Sequence, residues 1–129
     1  MLEVEIVGRS PLAPEEIVRL CTLAAASADV HDGHLAVEWV DEARIAELNA
    51  CHRGKAGATD VLSFPIDGAG GGETAIGPRE LGDVVICGQR TADLREAVVH
   101  GVLHLVGMDH ERDDGEMLAV QRELLSWRP

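Results

Sequence analysis

The chain has 129 residues, of which 46% are hydrophobic, enough for one domain around one core spanning 1–129. Its formal net charge is −12, which excludes a free-standing nucleic-acid binder that neutralises phosphates with its own lysines and arginines. Aromatic residues are only 2% of the chain, so there is no stacking platform for single strands.

Taken in order, Leu2-Glu3-Val4-Glu5-Ile6 alternates apolar and polar, as a half-buried strand does. Pro14 suits a first helical turn, and Glu15 and Glu16 suit the positive end of the helix dipole. Ile17, Leu20, Cys21 and Ala24 carry that helix at helical spacing to about Ala28. Leu35 to Val40 alternates again and is a second strand. Asp41 then caps a helix from Glu42 to about Cys51, with Ile45 and Leu48 turned inward. His52 to Thr59 is a loop marked by Gly54 and Gly57. Asp60 to Phe64 is a short strand closed by Pro65, which cannot donate to a sheet ladder.

Residues Asp67 to Glu80 are rich in glycine (Gly68, Gly70, Gly71, Gly72, Gly77). No Lys-Ser/Thr pair follows them, so this is a surface loop and not a phosphate cradle. Leu81 to Cys87 is the fourth strand. Strand and helix alternate through the first three strands, which implies parallel pairing with right-handed crossovers. No helix separates the third strand from the fourth, so these two are expected antiparallel. The predicted fold is α+β: a four-stranded mixed sheet, three strands parallel and one antiparallel, packed with helices.

A helix capped by Thr91 is expected from about Ala92 to Val106, apolar on nearly every side from Ala97 onward, as a central buried helix is. Asp113 and Glu116 form a capping pair for a last helix carrying Met117, Leu118, Gln121, Leu124 and Leu125. No apolar run is long enough to span a bilayer, and the N-terminal residues lack the basic-then-apolar pattern of a signal peptide. Cys21, Cys51 and Cys87 are odd in number and widely spaced, and read as reduced thiols of a cytoplasmic protein.

The chemistry concentrates at His100-Gly101-Val102-Leu103-His104-Leu105-Val106-Gly107-Met108-Asp109-His110, which holds three of the six histidines. On a helix, His100 and His104 share a face about 6 Å apart along the axis. Gly107 can end the helix in the left-handed conformation and let the chain fold back, bringing His110 to the same point. Three imidazoles with a fourth position open are the ligand set of a catalytic zinc. Nickel, cobalt or copper would also bind such a set.

Both histidine gaps and the glycine match the metzincin pattern H-E-x-x-H-x-x-G-x-x-H, which makes the site metzincin-like. Gly101 stands where those proteases carry their general base. A zinc ion held by neutral imidazoles lowers the pKa of bound water to about 7 and attracts a phosphate oxygen, so phosphodiester hydrolysis needs no adjacent glutamate.

Two segments together resemble the YbeY family of bacterial endoribonucleases. One is the histidine motif running into Glu111-Arg112-Asp113-Asp114. The other is Leu48-Asn49-Ala50-Cys51-His52-Arg53-Gly54-Lys55 followed by Thr59-Asp60-Val61-Leu62-Ser63-Phe64-Pro65, with Leu81-Gly82-Asp83 a weaker third match. The resemblance implies one zinc per chain at His100, His104 and His110, and a functional arginine at Arg53 on the loop before the third strand. It implies metal-dependent hydrolysis of single-stranded RNA, in 16S rRNA 3′-end maturation and ribosome quality control. Small-subunit ribosomal proteins and an assembly GTPase are the implied partners, with no membrane involved. The chain departs from the family pattern at His52, at Ala58 and between Cys87 and His100, where relatives place an extra helix.

Other residues carry plainer readings. Asp109 either orients an imidazole or caps the turn. Lys55 is a solvated charge or an auxiliary phosphate contact. Ser63 has no base partner in sequence. His31 and His34 are surface positions in a turn before a strand. Two further functions stay open: a metal-stabilised ribosome-assembly factor with little nuclease activity, favoured by the acidic charge, and a zinc peptidase, favoured by the metzincin spacing and weakened by Gly101.

Overall fold

The computed structural model describes residues 2–53, 60–66, 79–108 and 115–126, the side chains of His52 and Arg53 excepted. Strand β1 (Leu2–Val7) leads to helix α1 (Pro14–Ser27), strand β2 (Gly33–Val40) and helix α2 (Glu42–Arg53). Strands β3 (Val61–Pro65) and β4 (Glu80–Cys87) follow, then a short 3-10 turn (Gly88–Arg90) and helices α3 (Leu94–Leu105) and α4 (Glu116–Ser126).

The sheet order is β1-β2-β4-β3. β1 runs parallel to β2 and β2 parallel to β4, while β3 is antiparallel to β4 at the edge. The mixed sheet with three parallel strands is as expected, but β3 and β4 exchange roles relative to the sequence reading. The reason is the length of 66–79: a long connection frees β4 to insert beside β2, so the short strand closed by Pro65 takes the edge, where a missing backbone donor costs nothing.

Alternation along each strand separates two faces. Leu35, Val37 and Trp39 of β2 and Val84 and Ile86 of β4 join one buried cluster with α1, α3 and α4. Leu62 of β3 and Val85 and Cys87 of β4 point the other way and pack on Ile45 of α2. The metal-motif helix and the arginine-bearing helix therefore lie on opposite faces of the sheet.

Local signals explain the helix ends. Pro14 opens α1 with Glu15 and Glu16 in its first turn. Glu16 is 2.8 Å from Arg95 of α3 and is also paired with Arg19, whose guanidinium holds the Glu16 carboxyl below its usual range. Asp41 accepts from the Arg44 backbone N–H at 2.8 Å and caps α2, as expected. That helix runs on through His52 and Arg53, two residues past its predicted end, so Arg53 closes a helix instead of sitting in a loop. Helix α3 is capped by Asp93, not Thr91: the Asp93 carboxylate accepts from Glu96 N–H at 3.1 Å, while the Thr91 hydroxyl donates to Cys87 O at 2.6 Å. Thr91 is taken up by the 3-10 turn that sequence periodicity does not reveal. The capping role expected of Asp113 lies outside the described residues. Burial pushes the Cys21 thiol up to about 12, in keeping with a packing role and an unreactive thiol. Among the described residues no helix is long and apolar enough to cross a membrane.

Candidate functional site

Helix α3 buries Ala97, Val98, Val99, Gly101, Val102, Leu103 and Leu105, more of itself than any other described helix. His100 and His104 share its half-buried strip. Their ring centroids are 4.7 Å apart with planes crossed at 79°. The two Nε2 atoms meet at 3.2 Å. Two nitrogens each about 2.0–2.1 Å from one tetrahedral ion lie about 3.3 Å apart. The pair therefore already has the spacing that a shared metal requires, and the residues present fit such an ion.

Gly107 ends α3 as the spacing predicts. It has φ of +100°, and the backbone N–H groups of Gly107 and Met108 donate to His104 O and Leu103 O. This is the Schellman arrangement, and it turns the chain back after the second histidine. His110 and Asp109 lie outside the described residues, so the third ligand position is set by sequence alone. Among the described residues no group of three potential metal ligands is found.

Gly101 is explained by packing. A Cβ built at position 101 would fall inside van der Waals contact with the Val84 side chain of β4. Behind it, the Ser63 hydroxyl of β3 donates to Gly101 O at 2.9 Å, tying the motif helix to the edge strand. Ser63 therefore anchors the motif helix. The position that carries the base in metzincins faces the sheet here, with no room for a glutamate.

His100 opens on a cleft of about 200 Å³ lined by Asp60, Val61, Thr91, Asp93 and Glu96 among others. Its walls carry three carboxylates. Asp60 directly follows 54–59, the segment that joins the end of α2 to β3. Arg53 ends α2, but its side chain lies outside what is described, as does Lys55.

Two features were not legible in the sequence. The first is Gln121 of α4, 7% exposed, with Oε1 2.8 Å from His100 Nδ1. A polar residue in the stripe Met117, Gln121, Leu124 was the available signal. The second is His34, which is not a surface turn residue. It is half-buried in β2, with Nδ1 2.8 Å from Glu80 and Nε2 3.3 Å from Glu5. The hydrogen bond that His34 donates to Glu80, then the charge of Glu80 and that of Glu5, raise the His34 pKa above its ordinary value. His34 and Asp83 line a groove of about 710 Å³ on the α2 face of the sheet, so Asp83 is not part of the histidine cleft. Burial, and then the Glu80 carboxylate, hold the Asp83 carboxyl above its usual range.

The fold and the site define the class: a small α+β domain whose buried helix presents two converging imidazoles beside a cleft. Within that class the particulars come from comparison. Residues 12–127 match the profile of the family described as Endoribonuclease YbeY. The chain is 40% identical over 128 residues to the Endoribonuclease YbeY of Bacillus cytotoxicus, covering 84% of this chain and 82% of that one. It is 39% identical over 127 residues to that of Rubrobacter xylanophilus (94% and 89% covered), and 38% over 148 residues to that of a Nocardioides species (98% and 99%). The solution structure of a Thermotoga maritima protein superposes with a TM-score of 0.56 at 25% identity, covering 95% of this chain and 87% of that one. The chain belongs to the YbeY family.

Proposed function

We propose that this protein is a metal-dependent endoribonuclease, one domain over 1–129, acting on single-stranded RNA in 16S rRNA 3′-end maturation and ribosome quality control. The observation that carries the reading is the 3.2 Å approach of His100 Nε2 and His104 Nε2 on a helix that ends at Gly107 with φ of +100°. Membership of a family described as endoribonucleases supplies the substrate class.

His100, His104 and His110 would hold the ion, with zinc as the metal suited to three imidazoles. When bound, the ion would supply Lewis acidity toward water and toward a phosphodiester. Arg53, the last residue of α2, is assigned on the family resemblance to binding a phosphate oxygen with its planar fork. Ser63 keeps the ligand helix seated on β3 through Gly101 O. The carboxylates of Asp60, Asp93 and Glu96 repel a phosphate backbone from the wall that they line beside His100. A cytoplasmic setting, with small-subunit ribosomal proteins and an assembly GTPase as partners, follows from the same family reading.

A second reading, a ribosome-assembly factor with little nuclease activity of its own, is favoured by those acidic walls and the net charge of −12. Single-turnover cleavage of a defined RNA by pure zinc-loaded protein separates the two. Cleavage that disappears in His104→Ala supports the nuclease. Cleavage unchanged in that variant overturns it, and no cleavage by the wild type, with retained binding to ribosomal subunits, favours the assembly factor. A peptidase has less support, since Val84 fills the space its glutamate would need.

A further inference from the structure

We propose that Gln121 is a positioning residue that sets which nitrogen of His100 carries the ring proton and which carries the lone pair that a metal takes. The proposal rests on the reading of His100 and His104 as ligands, and it adds a function for α4 beyond the packing of Met117 and Leu124.

Among the described residues Gln121 is one of two buried polar residues, the other being Asn49. It sits on the inward face of α4 between Met117 and Leu124, where an amide costs free energy unless it is hydrogen-bonded. Its Oε1 lies 2.8 Å from His100 Nδ1. An amide oxygen only accepts, so this contact needs the proton on Nδ1. A neutral imidazole carries one ring proton, and Nε2 is then left with its lone pair. Nε2 is the atom that meets His104 Nε2 at 3.2 Å. The hydrogen bond thus selects the tautomer that a metal requires and stops the ring from turning about its Cβ–Cγ bond. The selection is made in the folded apoprotein, before any ion arrives. The two residues are 21 positions apart, so the device exists only when α4 is docked on α3.

The test begins with ring-nitrogen NMR of the metal-free wild type. His100 is expected as the Nδ1–H tautomer, and Gln121→Leu, which keeps the bulk but removes the acceptor, is expected to shift it toward Nε2–H. Zinc affinity, measured by competition with a chromophoric chelator, is expected to fall about 10- to 100-fold in Gln121→Leu. Gln121→Glu, which keeps an acceptor at the same place, is expected to stay within a few-fold of wild type. Urea unfolding of each apoprotein reports whether the variant is folded. A wild-type His100 protonated at Nε2 overturns the proposal, as does a folded Gln121→Leu with unchanged zinc affinity, or a folded Gln121→Glu that loses as much affinity as Gln121→Leu. Should Gln121→Leu not fold, the wild-type tautomer and Gln121→Glu still decide. Wild-type protein that takes up no zinc removes the ligand reading, while the tautomer measurement separately decides the role of Gln121.

Discussion

Gly101 shows how one residue can exclude a mechanism. The closeness of α3 to β4 at Val84 leaves no space for a Cβ, so the smallest overfilling should already be felt. Gly101→Ala is expected to destabilise the protein by about 1–3 kcal/mol, read from the urea midpoint. In a Val84→Ala background the same change should cost much less, because the clashing methyl groups are gone; equal costs in the two backgrounds would show the contact to be irrelevant. His34 carries a second prediction at this scale. Glu5 of β1 and Glu80 of β4 bracket it, with Asp83 and Arg44 lining the same groove. Its folded pKa is raised above its ordinary value of 6.5, so its contribution is fully present below that pH and is lost as pH rises through the folded value. The stability difference between wild type and His34→Gln should therefore be larger at about pH 5.5 than at about pH 8.5. A difference that does not change with pH would refute the ion-pair account.

At the scale of elements, α3 is delimited by two devices of different kinds. Its start depends on a side chain, the Asp93 carboxylate, and its end on a backbone conformation, Gly107 at φ +100°. Asp93→Ala should cost about 0.5–2 kcal/mol in urea unfolding, and Asp93→Asn much less, since asparagine caps nearly as well. The short 3-10 turn before the helix explains why Thr91 looked like the cap: it is polar and adjacent, but its hydroxyl is spent on Cys87 O. Helix α2 lies across the sheet from α3, and the segment between Arg53 and Asp60 is what links its end to the cleft.

For the molecule as a whole, a net charge of −12 sets the terms on which RNA can bind. Each phosphate neutralised on a single strand contributes about −0.7 to the slope of log affinity against log salt. On the proposed reading, in which Arg53, Lys55 and a metal ion supply the positive charge, that slope should be no steeper than about −2. Fluorescence anisotropy with a short RNA between about 50 and 200 mM salt checks this, and a slope several-fold steeper would mean that an unrecognised basic surface engages the RNA.

Residue order was enough to specify the strands and α-helices, the sheet's composition and the pair of histidines on one helix face, because each of these follows from short-range periodicity and local backbone preference. The cap of α2, the stop at Gly107 and the apolar surround of α3 belong to the same group. Three matters were settled only by the fold. Which strand stands at the sheet edge depends on a long connection whose path has no local signature. Why position 101 is glycine depends on Val84, a residue 17 positions away that only packing brings near. The contacts of His34 with Glu5 and Glu80, and of His100 with Gln121, join groups from separate elements, and no pattern along the chain records which side chains will meet when those elements dock.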